Sequence, residues 1–227
     1  ETLWALTLQF QLTEFVQGMA SSEISLARQY KDYVDLDNIK LLAIIAMYIP
    51  LNEIKSDVVF WDSIHKNLNT PNSLKLSIER EVFNREKEKS IAKDIVSLTP
   101  VEDTISEAVK NQYERNPYPR WLSVEITKSG GSFETKIKYE VKNLRLSNLD
   151  LENPDILIAG CGTGRHALST ANRYFGSKVM AIDLSRTSLA FAIRQAEVYE
   201  QTNLNFYQAD ILKLGGLKER FDVIEVS

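Results

Sequence analysis

The sequence predicts an α/β chain in which an all-α region precedes a unit built on a parallel sheet. Three observations carry that expectation. Helical patterns succeed one another with short loops from residue 1 to about 97. Residues 155–183 read as strand, glycine loop, helix and second strand, the βαβ unit of a parallel sheet. Two further short runs, Asn205-Phe206-Tyr207-Gln208-Ala209 and Phe221-Asp222-Val223-Ile224-Glu225-Val226, supply a third and a fourth strand.

At 227 residues the chain has room for one large or two small domains. Its 44% apolar and 26% charged residues are those of an ordinary globular protein. A net charge of −4 and a pI near 5.4 give no general attraction to nucleic acid. A single cysteine, Cys161, excludes an internal disulfide framework and fits a reducing compartment. With only His65 and His166 beside it, no zinc-finger type of metal site is expected. The most apolar run, Leu41 to Leu51, contains Pro50 and is too short for a bilayer, and no signal-peptide pattern is present. The expected location is cytoplasmic, away from membranes.

Taken in order, residues 2–17 place Leu3, Leu6, Phe10, Thr13 and Val16 at helical intervals. Ser21-Ser22-Glu23 reads as the cap of a second helix running to about Tyr33. Asp35 or Asp37 is expected to cap a third, Asn38 to Tyr48, nearly apolar throughout and ended by Pro50. Residues 52–66 give another helical piece, and 67–72 a loop. A charged helix follows from Leu74 to Lys93, with Glu81, Arg85, Glu88 and Lys89 assigned to exposed faces. The stripes of aliphatic and aromatic residues read as core.

Leu98-Thr99-Pro100 marks a boundary, and Thr104-Ile105-Ser106-Glu107 opens a helix ending near Tyr113. In Asn116-Pro117-Tyr118-Pro119-Arg120-Trp121 two prolines pin extended backbone, so Tyr118, Arg120 and Trp121 have a preset orientation. Ring, guanidinium and indole together suit a flat or carboxylate-bearing ligand, or else a rigid linker docking its aromatics on the sheet unit. Ser129-Gly130-Gly131-Ser132 reads as a flexible loop. Thr135 to Val141 alternates Lys with apolar residues, which permits an edge strand, and 123–150 is taken as linker.

The run Asp155-Ile156-Leu157-Ile158-Ala159 then breaks into Gly160-Cys161-Gly162-Thr163-Gly164. Glycines here allow unusual backbone angles and leave a ligand room, and the loop offers N–H groups at a helix N-terminus. Lys178 to Ile182 forms the next strand and Asp183 its tip, where a carboxylate can accept from both hydroxyls of a ribose. Asp210, ending the third strand beside Ile211, could take an adenine amino group. A dinucleotide motif, G-x-G-x-x-G, needs glycine at 165, which is Arg.

Ile156 to Gly164 resembles the first motif of the class I S-adenosylmethionine (SAM)-dependent methyltransferases, Asp183 their ribose acid, and Gln208-Ala209-Asp210-Ile211 their adenine segment. Phe221-Asp222-Val223-Ile224 resembles the strand leading to their acceptor region. The resemblance implies a Rossmann-like SAM methyltransferase domain of parallel strands 1–4, C-terminally truncated relative to the family's seven-stranded sheet and inactive alone. It implies SAM as cofactor and a cofactor site of Ala159, Gly160, Cys161, Gly162, Gly164, Asp183, Leu184, Asp210 and Ile211. Many members carry an acid where this chain has Ala159, so the contact to the methionine amino group must come from elsewhere. Gln112 to Trp121 resembles a Tyr-x-x-x-Pro-Tyr-Pro segment of a bacterial group whose N-terminal part carries tetratricopeptide-like helices. There it looks like a lid, which makes Tyr113, Tyr118 and Arg120 candidates for contact with cofactor or acceptor.

The expected domains are therefore an all-α region 1–97, a lid or linker 98–150, and a partial SAM-binding domain 151–227. The acceptor, protein or small molecule, and the catalytic base stay unassigned; His166 is expected to cap or pack. Two alternatives remain: a non-catalytic methyltransferase-like scaffold binding a protein through its helices, and a nucleotide-dependent (NAD(P)) oxidoreductase, against which Arg165 argues.

Overall fold

Amphipathic helices bury their apolar stripes only against one another, and the N-terminal unit follows that logic. The structure, a computed structural model, describes residues 1–13, 15, 19–34, 38–115, 117–126, 131–140, 152–174 and 176–226. It divides into two units, Glu1–Lys87 and Glu88–Ser227. The first holds α1 (Thr2–Leu12), α2 (Ser21–Tyr30), α3 (Ile39–Ile45), α4 (Leu51–Ile54), α5 (Val58–Lys66) and α6 (Asn72–Ile78). Its core gathers Trp61, Leu42, Leu51, Leu74 and Ile78, all fully buried. The Thr7 hydroxyl donates to the Ala43 carbonyl at 2.9 Å and so ties α1 to α3.

Caps were only partly readable. The Asn38 side chain caps α3, accepting from the Leu41 N–H at 3.2 Å; Asp35 and Asp37 lie outside the described residues, as does Val16. Ser21 is already helical, and Glu23 closes the N-terminus of α2 by accepting from the Ala20 N–H at 2.9 Å. The long charged helix is one helical run, widened over Glu79–Phe83 into π-helical geometry and continuing as α7 (Asn84–Asp94). Two of its acids correct the expectation of a solvated face: Glu81 is 1% exposed and Glu88 4%. Glu81 pairs with Arg85 at 2.9 Å, which compensates its loss of water.

In the second unit α8 (Thr104–Arg115) is capped by Asp103, which accepts from the Ile105 N–H at 2.9 Å. Residues expected as linker or edge strand form α9 (Phe133–Glu140). The alternation concealed an i, i+4 pair, Phe133 and Ile137, that packs on the core of the unit; Val141 lies outside the described residues.

Four strands follow, β1 (Asp155–Ala159), β2 (Lys178–Asp183), β3 (Leu204–Gln208) and β4 (Val223–Val226), with α10 (Arg165–Arg173) after β1 and α11 (Arg186–Val198) after β2. All pairings are parallel and the order is β3-β2-β1-β4. This is a Rossmann-like sheet: the chain runs outward from β1 through β2 to β3, then returns to the other side of β1. Ligands in such sheets bind beyond the carboxyl ends of the strands where that order reverses. Beyond β3, residues 96–98 run along the sheet, the Leu98 N–H donating to the Gln208 carbonyl at 2.8 Å and the Gln208 N–H to Val96 at 2.9 Å. No described helix is long and apolar enough to cross a membrane.

Candidate functional site

A cavity of about 770 Å³ opens at the carboxyl ends of β1 and β2, within the size range of small-molecule sites. The glycine loop forms its floor. Gly160, Gly162 and Gly164 all have positive φ (75°, 51° and 79°). A Cβ on Gly162 would meet no atom within 4 Å, so its bare backbone faces open space. One on Gly164 would come within 2.5 Å of the Ala192 Cβ. That glycine, at the N-terminus of α10, permits α10 to approach α11, and it does not line the cavity.

Asp183 sits at the tip of β2. Its Oδ2 accepts from the Gly162 N–H at 2.8 Å and its Oδ1 from the Ser185 N–H at 2.9 Å. A carboxylate has about four acceptor positions, so the two left over can meet two ribose hydroxyls. Burial raises the Asp183 pKa above the ordinary aspartate range; N–H groups of Ser185, Gly162 and Leu184 pull it back, and Glu114 pushes it up. Cys161 is buried, and desolvation, with Asp183 adding to it, pushes its thiol well up, so it stays neutral and serves as a small wall.

The remaining expected residues fall into two sets. Gly160, Cys161, Gly162, Asp183, Leu184, Ile211, Tyr113 and Tyr118 line the cavity. Ala159, Gly164, Asp210 and Arg120 do not. Ala159 is buried in the sheet, paired with Ile182 and Val226. Asp210 is 2% exposed; its Oδ1 caps the turn Ile211–Gly216 through the Leu212 N–H at 2.9 Å. Its Oδ2 is buried with no partner among the described residues. The neighbours of Asp210, Ala209 and Ile211, both face the cavity.

Arg120 requires correction as a ligand contact. Its guanidinium is buried, bonded to both carboxylate oxygens of Glu88 at 3.0 and 2.8 Å and stacked 4.7 Å from the Phe191 ring centroid. Arg194 reaches the same carboxylate at 2.8 Å. The neighbouring Trp121 docks on the sheet unit, its indole N–H donating to the Thr163 carbonyl at 3.0 Å, while the Thr163 hydroxyl donates to Pro119 at 2.7 Å.

Several residues of the site were missed in the sequence. Glu114 accepts from the N–H groups of Arg186 (2.8 Å) and Thr187 (3.1 Å), so α8 is clamped on the N-terminus of α11 beside Asp183. Val109, Val124, Glu125, Arg165 and Ser169 line the cavity, and so does His166, whose Nε2 lies 2.8 Å from Glu225 on β4. No spacing rule links residues so far apart in the chain.

Comparison with known proteins joins this geometry to a family. Residues 156–227 match the family model described as methyltransferase domain. This segment is similar to a methyltransferase domain. The chain is 22% identical over 176 residues to a release factor glutamine methyltransferase of Fusobacterium nucleatum, covering 78% of the chain and 47% of that protein. It is 35% identical over 92 residues to the Flavobacterium psychrophilum protein of the same name, covering 40% and 31%. The chain thus spans less than half the length of either relative. Among solved structures, PKMT2 from Rickettsia typhi in complex with AdoHcy matches 32% of the chain at 27% identity, with a TM-score of 0.30. The matched segment begins one residue into β1 and includes the loop, Asp183 and β4.

Proposed function

We propose that the protein is a SAM-dependent methyltransferase of class I, with SAM held in the cavity above the glycine loop. The observation that carries this reading is the Asp183 carboxylate, anchored by the Gly162 N–H at the rim of a cavity onto which Gly162 opens bare backbone. The residues present fit the cofactor. Asp183 would take the ribose hydroxyls, Gly160 and Gly162 make room for the methionine portion, and Leu184 and Ile211 frame the adenine. The unpaired Oδ2 of Asp210 is an acceptor suited to an amino group. Ala159 and Gly164 would act through the backbone and packing that shape the loop.

SAM brings its own activated methyl group, so the protein contributes mainly orientation and exclusion of water. Asp183 and the loop fix one end of the ligand. Tyr113 and Tyr118 line the cavity, which supports reading them as its cover. Arg120 supports that cover from behind, by fixing the Pro119-Arg120-Trp121 backbone through Glu88. The acceptor, a protein or a small molecule, would enter beside His166 and Ser169; the relatives named as release factor methyltransferases favour a protein. We also read residues 1–97 as a tetratricopeptide-like, partner-binding region, 98–150 as lid and linker, and 151–227 as the cofactor domain, in a cytoplasmic protein.

Calorimetric titration with SAM and with NAD tests the reading. SAM is expected to bind and NAD not. Asp183→Ala should weaken SAM more than tenfold, the loss of two hydrogen bonds to a charged acceptor. Equal SAM binding by wild type and variant would remove Asp183 from the site.

A further inference from the structure

The cavity holds two opposite charges that its own structure leaves unused. Among the lining acids, Asp183 is occupied by two backbone N–H groups. Glu125, the other, has no hydrogen-bond or ion-pair partner among the described residues. Of the lining basic residues, His166 is paired with Glu225, whereas Arg165 has no partner among the described residues. Glu125 and Arg165 line one cavity without pairing with each other. Each stands on a fixed piece of backbone. Glu125 follows a segment fastened to the sheet unit by Trp121 on Thr163 (3.0 Å) and by the Val124 N–H on the Tyr199 hydroxyl (3.1 Å). Arg165 is the first residue of α10, directly after Gly164.

We infer that Glu125 and Arg165 form a zwitterion clamp: Glu125 receives the α-ammonium and Arg165 the α-carboxylate of the cofactor's amino-acid end. The inference rests on the cofactor reading above and names what replaces the acid missing at Ala159. A carboxylate on ammonium and a guanidinium on carboxylate are the strong, charge-assisted kinds of hydrogen bond. The clamp also places recognition of the α-ammonium outside the glycine loop, on the segment that follows Trp121.

The test compares two probes on the full chain by calorimetry. S-adenosylhomocysteine carries the zwitterion; 5′-methylthioadenosine keeps the nucleoside and thioether but lacks it. In wild type the first should bind about a hundredfold more tightly, about tenfold for each charged contact. Glu125→Gln and Arg165→Gln should each remove about tenfold from S-adenosylhomocysteine affinity and leave 5′-methylthioadenosine unchanged, and the double variant should bind both alike. If wild type binds S-adenosylhomocysteine well and Glu125→Gln binds it equally, the clamp is overturned while the cofactor reading stands. An equal loss for both probes also overturns it, since the residue then shapes the pocket generally. A wild type that binds neither probe overturns the cofactor reading and the clamp together.

Discussion

Gly162 and Gly164 lie two positions apart, both at positive φ, and a methyl group added to each meets a different fate. At 162 it enters open space; at 164 it strikes Ala192. Gly164→Ala should therefore lose stability, about 1–3 kcal/mol for overpacking on top of about 1–2 kcal/mol for the left-handed backbone. Gly162→Ala bears only the backbone cost but intrudes on the ligand. Urea melts should rank Gly164→Ala as the less stable, and S-adenosylhomocysteine titration should rank Gly162→Ala as the weaker binder relative to its stability. Asp183 adds a pH signature. Its folded pKa is raised, so the folded state favours the protonated form, and stability falls as pH rises from the unfolded value near 3.9 through the folded one. Binding has the opposite sign, because a ribose hydroxyl donates best to the ionised carboxylate. S-adenosylhomocysteine affinity should decline as pH falls through a midpoint above that of an ordinary aspartate, and Asp183→Asn should abolish that step.

Elements meet at Glu88. This one acid on α7 receives Arg120 from the proline segment and Arg194 from α11, with both guanidinium groups over Phe191. The pattern of charges in the sequence suggested a ligand-seeking arginine and a solvated glutamate, because a linear reading cannot see that residues 32 positions apart are partners. Arg120→Ala should destabilise the second unit by about 3 kcal/mol, the cost of breaking a buried ion pair, softened by the remaining Arg194. Below its melting temperature the variant should hold S-adenosylhomocysteine within about threefold of wild type. A large loss of affinity at unchanged Tm would instead return Arg120 to the ligand. The helix α9 teaches a similar lesson: the period-2 alternation of lysines was visible, but burial of Phe133, with Ile137 packed partly buried beside it, decided the outcome.

For the molecule as a whole, the parallel sheet was legible because its code is local. Short β-branched runs, a glycine break and an acid at a strand tip lie within about 30 residues of sequence. The helical N-terminal unit was legible as a class, less so in its caps: Glu23, from the expected Ser21-Ser22-Glu23 run, closes α2 from inside the helix, and Asn38 caps α3. The walls of the cavity were not legible: Val109, Glu125 and Arg165 acquire their shared setting only once α8 and the segment after Trp121 fold across the strand ends. The short pairing of residues 96–98 with Gln208 has its own outcome at this scale. It occupies the main-chain N–H and carbonyl of Gln208 at the end of β3, whereas the far flank of β4 faces no strand among the described residues. A strand added beside β4 would come to lie next to the pair of His166 and Glu225.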